Sequence, residues 1–380
     1  MAWRPLVPLA LVFLAAAAPA PRPQPGVEVV AVPDGGLQPQ AAMDPGGTLH
    51  VLYFRGETMH GDLFYVRRGP TAAEFSRPVQ VNSVPGSAIA SGSVRGGRLA
   101  LGRNGWVHIA WNGSTPLDRG VTSDTPMWYT RVSPGGTVEP QRPIGTHTRH
   151  LDGGGDVAAD RRGNVRIVWH AAGEDDGETH RRIYVAASSD DGAHFAAETM
   201  FGTDGGNCGC CQLEALFDRR GRLQVLFRSA GGGVHRDAMW VTLDGAPPRV
   251  PITLQPWELP ACPMTTFALG ETPDGLIAVW ETAQQIYTAA LDPVSRQVSA
   301  PSAMSGTGSR KHPSLAINAA GDRLYAWTDG TSNTRAGSLG WELRAHDGSR
   351  VASSASAGPV AAASLVAAVA KPDGSFLILR

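Results

Sequence analysis

One short pattern recurs along this chain at nearly constant intervals. Its clearest copy is Asn164-Val165-Arg166-Ile167-Val168-Trp169-His170, reached through Asp160-Arg161-Arg162-Gly163: a turn, a strand with alternating faces, a closing aromatic and then a polar residue. The closing aromatics are Tyr53, Trp111, Trp169, Phe227, Trp280 and Trp327, so successive copies lie 58, 58, 58, 53 and 47 residues apart. A glycine precedes each strand, at Gly47, Gly105, Gly163, Gly221, Gly275 and Gly321. This spacing, with several short strands per unit, marks the blades of a β-propeller, because a single small sheet cannot bury both faces and must stack on copies of itself.

Each unit continues with a second aromatic strand, as in Leu63-Phe64-Tyr65-Val66, Met127-Trp128-Tyr129-Thr130 and Ile183-Tyr184-Val185, and then a weaker outer strand such as Pro78-Val79-Gln80-Val81. That makes four strands, a to d, per blade. Period-2 alternation with β-branched and aromatic residues supports strands, and no long stripe of period 3.6 follows the N-terminal region. The fold class is therefore all-β: a propeller of four-stranded antiparallel blades. The 46 glycines and 29 prolines suit the many turns this requires. A net charge of -1 without a basic run excludes a nucleic-acid footprint.

Residues 1–20 read as a secretory signal peptide: Arg4, an apolar run from Leu6 to Ala18, and small residues around a cleavage point between Ala17 and Pro21. The run is too short to span a bilayer, so an exported protein, periplasmic or extracellular, with no membrane span after cleavage is expected. A Pro-rich leader (21–26) precedes a single domain (27–380). Within it, the lone strand Val27-Glu28-Val29-Val30-Ala31-Val32 comes before six units, and a hairpin formed by residues 364–370 and 376–379 comes after them. Pairing the first strand with that hairpin would hide the ring's edges. Strand counting thus favours seven blades, with six as the alternative, and a monomer is expected.

Ser188-Ser189-Asp190-Asp191-Gly192-Ala193-His194-Phe195 matches the Asp-box pattern at the c–d turn of blade three, with Ser188, Asp190, Gly192 and Phe195 in the structural positions. The aspartate accepts turn hydrogen bonds, the glycine permits a positive φ and the aromatic plugs between strands. With this turn the chain resembles the sialidase superfamily of Asp-box (BNR-repeat) propellers. A narrower likeness rests on Cys208-Gly209-Cys210-Cys211, Cys262-Pro263, Trp327-Thr328-Asp329-Gly330 and Gly340-Trp341-Glu342-Leu343, which are similar to a group of exported bacterial sialidase-like proteins of no assigned activity.

In a propeller the d-to-a segments and b–c loops share one face, so charged residues on them should meet at a common mouth. The d-to-a segments carry His150, Asp152, Cys208, Cys210, Cys211, Gln212, Cys262, Met264, Arg310, Lys311 and His312. The b–c loops carry Arg55, Glu57, His60, Asp118, Arg119, His170, Glu174, Asp175, Asp176, His180, Arg228, His235, Arg236, Asp237, Glu281 and Asp329. Three readings follow.

The resemblance implies a sialidase-type glycoside hydrolase, with Arg228, Arg236 and Arg310 holding a sugar carboxylate and Asp237 or Asp175 as acid. Against it, no Phe/Tyr-Arg-Ile-Pro motif precedes blade one and no tyrosine lies in the mouth segments, so no catalytic residue is assigned. The second reading is a soft-metal site for copper or zinc on Cys208, Cys210, Cys211 and Cys262 with Met264. Disulfides among the same four cysteines are the expectation set against it, given export. The third, ranked first, is a propeller binding a glycan or protein ligand through Arg228, Arg236, Arg310, Lys311, His312 and His170, with no cofactor favoured.

Overall fold

The computed structural model of the protein describes residues 1, 25–92, 95–113, 126–145, 153–173, 175, 177–202, 205–243 and 250–380. Each sequence unit forms one antiparallel sheet whose strands follow chain order. The inner strands are Leu37–Met43, Gly97–Leu101, Asp156–Ala159, Glu214–Phe217, Phe267–Thr272, Arg310–Ile317 and Ala367–Ala370. Each touches the next, and the seventh touches the first, so they close a ring.

The repeated residues make the blade for identifiable reasons. In blades one, three, four and six an Asp or Asn five residues before strand b closes the a–b turn: Asp160 Oδ1 accepts from the backbone N–H of Arg162 and Asn164, Asp218 does the same for Arg220 and Arg222, and Asp44 and Asn318 hold the equivalent positions. Gly163 sits at φ 92, in the left-handed region that the turn demands and a side chain would resist. The closing aromatic of strand b then lies opposite an aromatic of strand c. Tyr53 stacks on Phe64 at 5.9 Å, Trp169 on Tyr184 at 6.0 Å and Trp280 on Tyr287 at 6.4 Å between ring centroids.

Alternation along each strand serves two neighbours at once. In Phe376–Leu379, Leu377 and Leu379 pack with Val51 and Tyr53 of blade one, while Phe376 and Ile378 pack with Leu324 and Leu339 of blade six. Seven apolar clusters occupy the seven seams between blades. Fully burying one such side chain contributes about 1.5–3 kcal/mol, so the seams hold the ring together. The count is seven, and the six-blade alternative is set aside.

The seventh blade departs from four antiparallel strands. It has three: Ala367–Ala370, Phe376–Leu379 and the N-terminal Val27–Val30, which pairs with Phe376–Leu379 in parallel. The direction has a physical reason. Running parallel to a b strand, the N-terminal strand finishes on the face where inner strands begin, and a short turn at Pro33–Gly35 then delivers Leu37 to blade one.

The expected signal peptide and most of the leader lie outside the described residues, as do Asp118, Arg119, His150, Asp152, Glu174 and Asp176. Among the described residues, no helix is long and apolar enough to cross a membrane.

Candidate functional site

The inner strands enclose a polar cavity of about 300 Å³ along the axis. Gln40, Arg98, Asp156 and Glu214 line it, each one 58-residue repeat after the last. Their registers are equivalent, opposite Leu52, Ala110, Val168 and Leu226 of the adjoining strands. Arg98 Nε donates to Asp156 Oδ1 at 2.9 Å and its Nη2 donates to Glu214 Oε2. Asp156 Oδ2 also accepts from the Ala215 N–H at 2.6 Å, tying blade three to blade four. Burial pushes the Glu214 carboxyl up to about 8 although Arg98 opposes it. Burial likewise works against the charge on Arg98, but its two carboxylates keep its pKa raised. This triad was missed in the sequence reading, although the 58-residue step connects its members.

On one end of this cavity, the segment leading into blade four turns sharply through Cys208-Gly209-Cys210-Cys211. The Cys208 N–H donates to Arg228 O at 2.9 Å, the Cys211 N–H to Cys208 O at 3.3 Å, and the Gln212 N–H to Thr265 O at 3.1 Å. Close packing fixes the turn from outside. A Cβ on Gly153 would stand 1.7 Å from Gly209 O, and one on Gly206 2.3 Å from Thr179 O. The sulfurs converge as a result: Cys208 Sγ is 3.2 Å from Cys210 Sγ and 3.6 Å from Cys211 Sγ. Ligand atoms of Cys208, Cys210 and Cys211 all lie within 4.8 Å of one another, and so do those of Glu178, Cys210 and Cys262. All four cysteines are free, so the disulfide expected from sequence is not formed in this structure. An S–S bond needs about 2.05 Å, and the spacing here is well beyond it.

The surroundings of Cys211 are charged and dry. Burial alone would raise its thiol, yet the Cys208 and Cys210 thiols pointing at it, together with Arg228, hold it well below the usual range. The Cys208 thiol is correspondingly raised, first through Cys210 and then through Cys211. His170 is buried and depressed to about 4, by burial first and then by Arg181; His312 is depressed to about 3, by burial and then by Lys311. Burial also raises the Glu281 carboxyl beside Arg228. Several buried polar atoms here lack a well-aligned hydrogen-bond partner among the described residues: the ring nitrogens of His170, which lies against the Cys211 backbone, His312 Nδ1, Arg228 Nε and Glu281 Oε2. Native interiors pair such atoms with protein groups, ordered water or a bound ligand, so these are the positions at which a partner would be accommodated.

The other predicted residues separate into those at the mouth and those used elsewhere. Arg228 is fully buried, donates to Arg236 O and Glu281 O, and lies over Trp257 and Phe267. Arg236 pairs with Glu178 at 2.8 Å and donates to Ala261 O and Gly233 O. Arg310 belongs to the seam between blades five and six, donating to Gln285 Oε1 and Ser305 O beneath Trp327. The three guanidiniums therefore do not converge on one point. Lys311 Nζ donates to Pro263 O at 2.6 Å, beside Cys262. Met264, at φ 50, is half-buried on the same segment. Asp237 accepts from the Trp257 N–H at 2.8 Å, and Asp175 is exposed 3.7 Å from His180. Tyr325 is buried under Arg344. Glu178, absent from the sequence reading, arrives through a short 3-10 turn, Glu178–His180.

The predicted turn 188–195 lies on the opposite face. Ser188 Oγ donates to Asp190 Oδ1 at 2.7 Å, Asp190 Oδ1 accepts from the His194 N–H at 3.0 Å, and Phe195 meets the edge of Tyr129 of blade two at 5.0 Å.

No protein-family model matches the chain, and no curated protein matches it. Among solved structures, the chain is similar to the NanB sialidase of Streptococcus pneumoniae, with a TM-score of 0.54 and 8% identity over 81% of this chain and 68% of that one. It is also similar to a puromycin hydrolase, with a TM-score of 0.50 and 16% identity over 90% of this chain and 51% of that one. At these identities the likeness is one of fold, and the fold is a sialidase-like β-propeller.

Proposed function

We propose that this sialidase-like propeller is an exported binding protein that holds a soft metal ion, copper or zinc, in the thiol cluster at its mouth. The observation that carries the reading is the convergence of Cys208, Cys210 and Cys211, with Sγ–Sγ separations of 3.2 and 3.6 Å. Two thiolates sharing one metal at about 2.3 Å per bond stand about 3.8 Å apart, near this spacing and far from a covalent S–S bond. The unpaired buried atoms of His170, His312 and Glu281 near the sulfurs support the same centre, while Arg228 lends its positive charge to the Cys211 thiolate. Thiolates select copper(I) and zinc over harder ions. A sialidase activity is less well supported, because Arg228, Arg236 and Arg310 are each engaged by separate partners.

The test is metal analysis of tag-free protein titrated with copper(I) or zinc in competition with a chromophoric chelator, alongside a count of reactive thiols. Retention of a metal ion with loss of three reactive thiols is expected, and Cys211→Ser should weaken binding by about tenfold or more. Four sulfurs locked in disulfides in protein isolated without reductant, or reduced protein that retains no metal, would remove the proposal.

A second reading, a glycan or protein ligand at the same mouth, has one observation in its favour. Two exposed histidine–carboxylate pairs, His180–Asp175 and His235–Glu258, flank the thiols as a polar rim. A glycan array probed with metal-free protein separates it from the first.

A further inference from the structure

The four cysteines do not form one set. Cys208, Cys210 and Cys211 make an inner trio of sulfurs, with Cys208 and Cys211 buried. Glu178, Cys210 and Cys262 make an outer trio, with Cys262 exposed and Glu178 half-buried. Cys210 belongs to both, and it is the one half-buried cysteine of the four. The outer trio is also assembled differently: its members come from the b–c loop of blade three and the segments leading into blades four and five. Lys311 anchors the last of these through Pro263 O, next to Cys262.

We infer that the outer trio is a second metal position, a loading site from which copper(I) passes inward to the buried trio through the shared Cys210. The inference rests on the metal-binding reading above and adds a route and a direction to it.

The direction follows from the donors. The outer trio offers two sulfurs and one carboxylate oxygen, and that carboxylate is already held by Arg236 at 2.8 Å. Sharing Glu178 with a guanidinium weakens its donation to a cation, and oxygen is a poor partner for a soft ion. The inner trio offers three sulfurs, removed from water. Transfer is therefore downhill. It breaks the metal bonds to Cys262 and Glu178, keeps the one to Cys210 and forms bonds to Cys208 and Cys211. Cys208 and Cys211 bind as thiolates, any proton they carry passing to solvent, Cys262 recovers one from solvent, Glu178 returns to Arg236 alone, and the metal keeps its oxidation state. The converse path, direct arrival at Cys208 and Cys211, is blocked because both lie beneath the turn.

Cys262→Ser tests the route. Its side chain is exposed, so the fold should tolerate the change, and Glu178→Gln, which keeps a hydrogen bond acceptor for Arg236, provides an independent second variant. Copper(I) is delivered from a chromophoric chelator to full-length reduced protein, and both the time course and the final equilibrium are recorded. Both variants should load more slowly than the wild type, Cys262→Ser by about tenfold or more, while the final affinity of the retained ion stays within about twofold. Cys208→Ser should do the reverse, keeping the fast early phase and losing tight retention. Loading of Cys262→Ser at the wild-type rate, or loss of its tightly held ion, overturns the loading route while leaving the metal site standing. A wild type that takes up no copper(I) overturns both.

Discussion

Arg98 and Asp156 stand one repeat apart in the chain and meet across the axial cavity, guanidinium Nε to carboxylate Oδ1 at 2.9 Å. Glu214, one repeat further on, completes the group. The repetition that builds the scaffold therefore also places three ionisable groups at one level of its interior. Each is at the register position where its sheet faces the axis.

Replacing Arg98 by Met would leave Asp156 and Glu214 buried together without their cation. Removing one partner of a buried ion pair costs about 3–5 kcal/mol, and that loss is expected in denaturant unfolding of Arg98→Met. Adding Glu214→Gln should recover part of it. Wild-type stability in the single variant would mean that water, and not Arg98, compensates these carboxylates.

Stability should peak near pH 6.5. Glu214 has a folded pKa of about 8 against an ordinary 4.5, so it favours the native state in acid, and that contribution fades as pH rises from 4.5 through 8. His108 and His170, depressed to about 4, and His312, depressed to about 3, act the other way: their contribution is present above 6.5 and is lost as pH falls through their folded values. Between pH 4.5 and 6.5 the depressed histidines, His50 included, outweigh the raised carboxyls of Glu214, Glu271 and Glu281; above 6.5 Glu214 acts without them. Unfolding of metal-free protein across this range should trace that maximum, and Glu214→Gln should flatten its upper side. A profile that keeps rising to pH 8 would contradict the burial of Glu214.

The seventh blade can be tested by deletion. Removing residues 27–31 strips Val27–Val30 from Phe376–Leu379 and exposes an apolar strand edge. Such edges pair with other copies, so lower thermal stability and concentration-dependent association in sedimentation are expected. A monomer with unchanged melting would show that the parallel pairing contributes little.

Gly192 and Gly136 separate steric from backbone strain. Both have positive φ, 72 and 90, but a Cβ on Gly192 would lie 1.9 Å from the Tyr129 hydroxyl oxygen, whereas one on Gly136 meets nothing within 4 Å. Gly136→Ala should cost about 1 kcal/mol and Gly192→Ala clearly more, as measured by chemical denaturation. Equal costs would mean that Tyr129 moves aside freely.

The ring was legible because its causes are local and repeated. An aromatic at the end of strand b and a glycine held at positive φ leave their marks in all six copies at near-regular spacing, and an Asp or Asn closes the turn in four of them. The parallel joint of blade seven was only half legible: the strands were visible, but their direction depends on which face must receive Leu37. The mouth was harder still. Arg228, Arg236 and Arg310 look alike in the sequence, yet each points into a different seam or carbonyl set, and period-2 patterning carries no information about that. Cys208, Cys210 and Cys211 announced themselves by adjacency. Glu178 did not, because it reaches Cys210 and Cys262 through loop packing that no spacing rule describes.

The parallel pairing of Val27–Val30 with Phe376–Leu379 has a consequence for biosynthesis. Five of the seven interfaces between blades can zip up behind a growing polypeptide, but the two that flank blade seven wait for Phe376–Leu379. A nascent chain that still lacks Phe376–Leu379 is thus an open arc with its first strand unmatched, and the ring locks only when that strand arrives.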